Sequence, residues 1–334
     1  MNDTATKITE RFIENYNIAK RVFKLDGNYA AVSYAASLLT GDSRITEERL
    51  KEAKKLIGKY GTGFVTVKNT LAKEVVAAAV AESVDPEYAA EKINEIYSSL
   101  KKITPGADFY GVPAAVIFKN AGSAEYESTV EKVKVIYKGL KKNHPFLTSY
   151  EDVVSCTLMA LSQKSVEDAV EDCEDCYRIL KDKYFFNNNA QTVACVLSVF
   201  PDTPAEKCKK ATSVEKALKE AKVVLGDRAL AAIAAASMIV KTEDLQSYIN
   251  DINEISETLK SVRGLGNMGV GRTFRNLISS SIAAVSYTEQ ASVNIEGVTA
   301  GSVVSAMFAQ QLTMVVCMAS AISMGTVVAN SSGD

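Results

Sequence analysis

Apolar and polar residues follow a two-part pattern that repeats along the chain. One part is apolar on nearly every side and rich in Ala, Val and Cys, which is typical of a helix buried between neighbours. Six such segments occur, with the sequences YAAVSYAASLL, LAKEVVAAAVA, VPAAVIFKNA, VVSCTLMALS, TVACVLSVF and LAAIAAASMIV. The other part has apolar residues every three or four positions, as at Val130, Val133, Tyr137 and Leu140. This spacing predicts an amphipathic helix with one buried face.

The amphipathic segments end in similar short sequences. These are IYSSLKKI from Ile96, IYKGLKKN from Ile136, CYRILKDK from Cys176, VEKALKEA from Val214 and ISETLKSV from Ile255, with starts 40, 40, 38 and 41 residues apart. One helical pair cannot bury its apolar surface alone, whereas a stack of pairs can. We therefore predict an all-α fold of tandem helical hairpins, each of about 40 residues, forming an α-α superhelix, or solenoid. A closed α/α ring is the alternative, because six or seven units are enough to close one.

Several helix starts are marked by residues that can cap a helix. Asp85, Ser165 and Thr203 each offer a side chain that can accept from the first turn, and Pro or an acid follows each of them. Thr203 and Glu206 also have the spacing of a capping box. These positions predict helices that begin close to residues 86, 166 and 204.

The repeat register divides the chain into units. We place them near 26–61, 62–104, 105–144, 145–184, 185–224 and 225–264, with a partial unit at 265–287. Residues 6–24 predict an amphipathic helix that caps the front of the array. No Ser- or Pro-rich linker is present, so residues 1–290 are expected to form a single helical-repeat domain. Residues 291–334 are expected to form an apolar tail helix, which has no charged residue from Gly297 to Gly333.

Composition and charge narrow the classes of protein. The 334 residues are 47% apolar and 23% charged, with a formal net charge of −2. This balance argues against a nucleic-acid-binding surface, which usually concentrates positive charge. The N-terminal residues lack the apolar stretch of a secretion signal. All six cysteines fall in apolar, helix-like runs, as expected for buried reduced thiols in a cytoplasmic protein.

Three features together resemble a known family. They are the tandem IYxxLKK endings, the sequence NHPFLTSYED from Asn143 to Asp152, and the Gly-rich joint before RTFRN. They are similar to those of an uncharacterised bacterial helical-repeat family known as domain of unknown function 4003. The similarity covers residues 8–290 and the small-residue apolar tail. It implies a helical-repeat fold and brings no activity, cofactor or partner.

The Gly-rich joint, RGLGNMGVGRTFRN at residues 263–276, contains the pattern G-x-G-x-x-G. A dinucleotide-binding loop needs a preceding strand, and here the preceding segment is helical. In the repeat register the joint is an inter-unit turn, where Gly permits positive φ and close helix approach. The alternative is an anion site at the start of the following helix. Its candidate residues are Arg263, Gly266, Asn267, Gly269, Arg272 and Arg275.

A second candidate site surrounds the only histidine. His144 lies in a turn with no evident partner, so we expect a solvent-facing residue. The alternative is a ligand contact shared with Asp152. Cys173 and Cys176 have C-x-x-C spacing but lack two further zinc ligands, so core packing is expected. The acids around them, including Glu174, are interpreted as a solvated helix face. We predict no catalytic residue, no metal site and no cofactor.

The tail adds a third possibility. Residues 303–328 are long enough to span a bilayer, yet their stripe of small polar residues also suits packing against protein or a second copy.

The first hypothesis for the function is a non-enzymatic scaffold that binds a protein or peptide partner and no nucleic acid. The first alternative is a ligand-binding or enzymatic α/α ring with an anion site at the inter-repeat loops. The second is a membrane-associated scaffold anchored by the tail.

Overall fold

The computed structural model describes residues 1–24, 26–40, 45–60, 72–105, 110–162, 164–184, 187–288, 303 and 306. Within these residues the chain forms fourteen α-helices and no strand, which confirms the all-α prediction. The helices are α1 (Asp3–Val22), α2 (Gly27–Ala36), α3 (Glu47–Lys59), α4 (Lys73–Glu82), α5 (Pro86–Leu100), α6 (Gly111–Asn120), α7 (Tyr126–Asn143), α8 (Val153–Leu161), α9 (Val166–Leu180), α10 (Asn187–Leu197), α11 (Pro204–Glu220), α12 (Leu230–Ile239), α13 (Leu245–Lys260) and α14 (Arg272–Ser286).

The helix starts lie where the capping residues predict them. Asp85 accepts from the Tyr88 amide at 3.0 Å, and Ser165 accepts from the Asp168 amide at 3.0 Å. Thr203 and Glu206 form the predicted capping box in front of α11. Such side chains satisfy donors in the first turn that have no partner inside the helix, and each stabilises its helix by about 0.5–2 kcal/mol.

The helices form two layers. Every residue of α8 and of α12 is buried, as expected for the inner, small-residue helices. In contrast, α9 buries only the four residues Ala169, Cys173, Cys176 and Leu180. Even-numbered helices pack on one another in chain order and make the inner layer, while the odd-numbered helices from α1 to α11 do the same outside them. The two periods of the sequence therefore correspond to two positions in the fold.

Each outer helix packs closely on the inner helix that follows it. This holds for all seven successive pairs, from α1 and α2 to α13 and α14. The N-terminal helix, predicted as a cap, is therefore one half of a hairpin. Because each outer helix is followed by an inner helix that returns, the outer helices all run in the same direction.

The first and last hairpins touch each other. Helix α1 contacts both α13 and α14. The Asn2 side-chain amide donates to Asp251 Oδ2 at 2.8 Å, and the Tyr287 hydroxyl donates to the same oxygen at 3.0 Å. In the inner layer, the Tyr29 and Phe274 rings meet edge to face with centroids 4.9 Å apart. These contacts correspond to the closed α/α ring, the alternative to an open superhelix.

Two residues of the tail are described. Val303 and Ala306 are helical and buried. Ala306 borders a cavity of about 40 Å³ together with Ser37, which directly follows α2, and with residues of α4 and α6 that include Val75 and Val112. This part of the tail therefore packs on the inner layer. None of the described helices is both long enough and apolar enough to cross a membrane. The rest of the predicted 303–328 segment lies outside the described residues.

Candidate functional site

The Gly-rich joint connects α13 to α14 and touches α1. Gly264 and Gly271 have φ of +96° and +81°, which glycine adopts without strain. A Cβ on Gly264 would lie 2.6 Å from Asn28 Oδ1 and closer still to Tyr16 Oη. The Tyr16 hydroxyl lies 3.2 Å from the Arg263 carbonyl oxygen. The Gly content is therefore explained by a tight turn that meets the first hairpin, where the ring closes.

Arg275 holds this joint from inside. Its side chain is 2% exposed, and its Nε donates to Ser256 Oγ at 3.2 Å. Its Nη1 donates to the Leu265 carbonyl at 3.3 Å and to Asn267 Oδ1 at 3.1 Å. Burial lowers the pKa of the Arg275 guanidinium. The acceptors are all neutral groups, one in α13 and two in the joint, so these donors tie the turn to the helix before it.

The predicted anion-site residues are thus divided between two environments. Arg275 and Asn267 bond to each other, whereas Arg263 and Arg272 are exposed. Gly266 accepts through its carbonyl oxygen from the Gly269 amide at 3.0 Å within the turn. Arg272 is the first residue of α14, where helix amides favour negative charge. The anion site stays a prediction, now centred on Arg272.

His144 is paired, so the expectation of a solvent-facing residue without a partner is wrong. Its Nε2 lies 2.7 Å from Glu174 Oε2, and its ring centroid lies 4.3 Å from that of Tyr177. The pair forms because α9, the next outer helix, runs beside the C-terminal end of α7, which His144 caps. Glu174 is correspondingly not a purely solvated residue.

Asp152 lies in the same turn but faces the core. Its Oδ2 accepts from the Ser149 amide at 2.7 Å in front of α8, and burial raises the pKa of its carboxyl to about 7. Thr148 Oγ1, also buried, accepts from Gln191 Nε2 at 2.9 Å. Among the described contacts none joins Asp152 to His144, because one starts an inner helix and the other packs on an outer one.

The C-x-x-C thiols lie in the core, as expected. Cys173 Sγ is 3.2 Å from Cys195 Sγ, across the interface between α9 and α10. Cys208 Sγ donates to the Cys176 carbonyl at 3.7 Å, across the interface with α11. The five cysteines in the described part of the chain are all buried and free.

Two buried ionisable residues have no signal in the sequence. Lys207 has a fully buried side chain, and its Nζ donates to both carboxylate oxygens of Asp172 at 2.7 and 2.6 Å. Lys164 Nζ shares the same carboxylate at 2.5 Å. Glu74 is buried at the start of α4, and this burial raises its pKa to about 7. The other lysines of α11 are exposed, so residue type alone would not single out Lys207.

A groove lies on the surface between α7 and α9, and we call it the α7–α9 groove. Its volume is about 540 Å³. The floor is formed by Val135, Gly139, Val166 and Val170. Val135 is 42% exposed, and it lines the groove together with the partly buried Val166 and Val170. The sequence indicates each helix of this groove but not that the two are neighbours.

The two edges of the groove carry opposite charges. Arg178 at the end of the α9 edge is paired with Asp175 of the same helix. Lys138 and Lys142 line the α7 edge, and Glu167, Glu171 and Glu174 line the rest of the α9 edge. Glu174 pairs with His144, whereas the other four make no ion pair with any residue in the described part of the chain. The groove therefore combines an apolar floor with one basic rim and one acidic rim, both available to a partner.

Comparison with known proteins identifies a family whose function is unknown. No curated protein and no solved structure matches the chain significantly. The sequence model of the family described as "Protein of unknown function (DUF4003)" matches residues 15–321, well over half of the chain. The chain therefore belongs to this family, in agreement with its repeat endings and Gly-rich joint.

Proposed function

We propose that the protein is a non-enzymatic interaction scaffold, and that the α7–α9 groove is its docking surface for a protein partner. The groove itself is the observation that supports this proposal. Its floor exposes Val135 to solvent, and its two rims present charges of opposite sign. A partner helix with an apolar face, one acidic edge and one basic edge would be complementary to it.

The two parts of the groove would contribute in different ways. Burying the apolar floor favours association by roughly 25 cal/mol for each Å² removed from water. The rim charges would steer and orient the partner, since complementary charges act mainly on association rate and register. Reversal should have the largest effect at Lys138, Lys142, Glu167 and Glu171, because these rim residues have no ion-pair partner within the described residues.

Site-specific photocrosslinking in living cells tests this proposal. A photoreactive amino acid at position 135 should form an adduct with a protein, and reversal of Lys138 and Lys142 to Glu should abolish it. The same probe at Val84, a fully exposed residue before α5, is the matched control and should give no discrete adduct. If position 135 gives no adduct that depends on the rim charges, the groove is not a docking surface.

Ligand binding at the Gly-rich joint is the second candidate function. The closure of the ring at this joint supports it, together with the exposed Arg272 at the start of α14. Inorganic phosphate should then raise the melting temperature, and Arg272→Ala should remove the increase while Arg178→Ala, on another exposed helix, should not. Equal stabilisation of both variants would contradict an anion site.

The membrane-anchored scaffold remains a further proposal about the tail. Within residues 303–328 the structure describes only Val303 and Ala306, which are buried against protein. Cell fractionation of the full chain and of a chain ending at Gln290 tests the anchor. If both chains stay in the soluble fraction, the tail does not hold the protein at a membrane.

A further inference from the structure

We propose that the partner bound in the α7–α9 groove is a second copy of the same chain, related by a twofold axis that runs along the groove. This inference rests on the proposed docking function of the groove and adds the identity of the occupant. It follows from the positions of the charges along the helix axes, which we call their heights, from the signs of the charges, and from the shape of the floor.

The two rims are in register with each other. The α7 and α9 helices run in the same direction, and a Cβ on Gly139 would lie 3.1 Å from Val170 Cγ2. Position 139 is therefore level with position 170. Lys138 then lies between the levels of Glu167 and Glu171, and Lys142 lies within one residue of the level of Glu174. With a rise of about 1.5 Å per residue, each lysine is within roughly 3 Å in height of an acid on the opposite rim.

A twofold axis along the groove exchanges the two rims without changing their height. The basic rim of one copy then faces the acidic rim of the other, and the same contact occurs twice, as in any isologous interface. An axis across the groove would instead place lysines against lysines and acids against acids. The charge pattern thus selects one of the two symmetric arrangements and is self-complementary in that arrangement only.

The floor of the groove suits this arrangement. Two outer helices from each copy would form a four-helix bundle, whose centre is lined by Val135, Val166 and Val170 of both copies. Gly139 has no side chain to separate the helices, so the two floors can approach closely. Four-helix bundles bury their core through small and branched apolar side chains of this kind. A partner other than a second copy would need the same two rims in the same register.

Sedimentation velocity of the full chain tests the inference. The wild-type protein should show a concentration-dependent dimer. Reversal of the basic rim, Lys138→Glu with Lys142→Glu, should raise the dimer dissociation constant by about tenfold or more, because acidic rims then face each other. Reversal of the acidic rim, Glu167→Lys with Glu171→Lys, should do the same. The control Lys132→Glu with Lys209→Glu, at exposed positions outside the groove, should leave dimerisation unchanged.

Mixing the two rim variants provides the decisive result. The groove with two acidic rims in one variant should pair with the groove of the other, in which Glu174 is the one rim acid left, restoring association to within about threefold of the wild type. Misfolding or a purely structural role would not produce this mutual rescue. A wild-type chain that stays monomeric at all concentrations, or the absence of rescue, overturns the second-copy inference.

The crosslinking experiment separates this inference from the docking function itself. An adduct at position 135 with twice the 36.0 kDa mass of the chain supports the second copy. An adduct with a different protein, combined with a monomeric wild type, supports the docking surface and overturns the second copy. The absence of any adduct overturns both.

Discussion

Replacing Gly264 by alanine tests whether the Gly-rich joint closes the ring. The change introduces a Cβ at a position with φ of +96°, where an L-residue is strained. This strain costs about 1–3 kcal/mol. The new methyl group would also lie 2.6 Å from Asn28 Oδ1 and nearer to Tyr16 Oη, so these two side chains of the first hairpin must move away from the joint.

The size of the effect follows from these two terms. Displacing the Asn28 and Tyr16 side chains adds an overpacking cost of about 1–3 kcal/mol. It also removes the hydrogen bond from the Tyr16 hydroxyl to the Arg263 carbonyl, worth about 1 kcal/mol. Gly271→Ala is the matched control, because Gly271 has φ of +81° in the same joint and a Cβ there meets nothing within 4 Å. Gly264→Ala should therefore be less stable than Gly271→Ala by about 2–4 kcal/mol.

The assay is urea unfolding followed by far-UV circular dichroism, with the free energy of unfolding obtained by linear extrapolation. Tyr16→Phe supplies a second check, since it removes one of the two clashing atoms. It should cost less stability in the Gly264→Ala background than in the wild type. Equal free energies of unfolding for Gly264→Ala and Gly271→Ala would refute the idea that the joint is shaped by its contact with α1.

Three other predictions concern buried polar groups. Burial raises the pKa of Asp152 from 3.8 to about 7, so the folded state binds its proton more tightly and loses stability as pH rises between these values. In unfolding titrations from pH 5 to 7, the free energy of unfolding of Asp152→Asn should rise relative to that of the wild type by about 1.4 kcal/mol per pH unit. A difference that does not change with pH would contradict this. Lys207→Met breaks the buried pair with Asp172 and should lower the free energy of unfolding by about 2–4 kcal/mol. Lys210→Met breaks the more exposed pair with Asp202 and should cost less than about 1 kcal/mol. Equal losses would argue against a buried ion pair. Asp251→Ala removes the acceptor of Asn2 and Tyr287, so hydrogen exchange should accelerate in α1 relative to α7, and uniform protection would be the contrary result.

The elements of the fold could be predicted from the sequence because they depend on local period and local chemistry. Apolar residues at every position of α12 except Ser237 indicate a helix buried on all sides, and spacing of three and four residues in α7 indicates one buried face. The caps at Asp85, Ser165 and Thr203 act within one helical turn of their own position. Cys173 and Cys176 were expected in the core for the same reason, since they follow the apolar face of α9.

The candidate sites were predicted less completely, because they combine residues from different hairpins. His144 was expected to have no partner, but the packing of α9 beside α7 brings Glu174 to it across 30 residues of chain. Lys207 was indistinguishable from the exposed lysines around it until Asp172, 35 residues earlier, was found against it. In the anion-site alternative Arg275 would face a ligand, whereas its position in the joint directs its donors to Leu265 and Asn267.

The sequence by itself determined the helices and their buried or amphipathic character. Only the tertiary structure decided that the array closes, through bonds such as Asn2 to Asp251 across 249 residues. It also decided that the basic edge of α7 and the acidic edge of α9 lie level across one groove. The physical reason is that closure and register depend on small rotations summed from one hairpin to the next. No local period records that sum, whereas a helix needs only its neighbours within one turn.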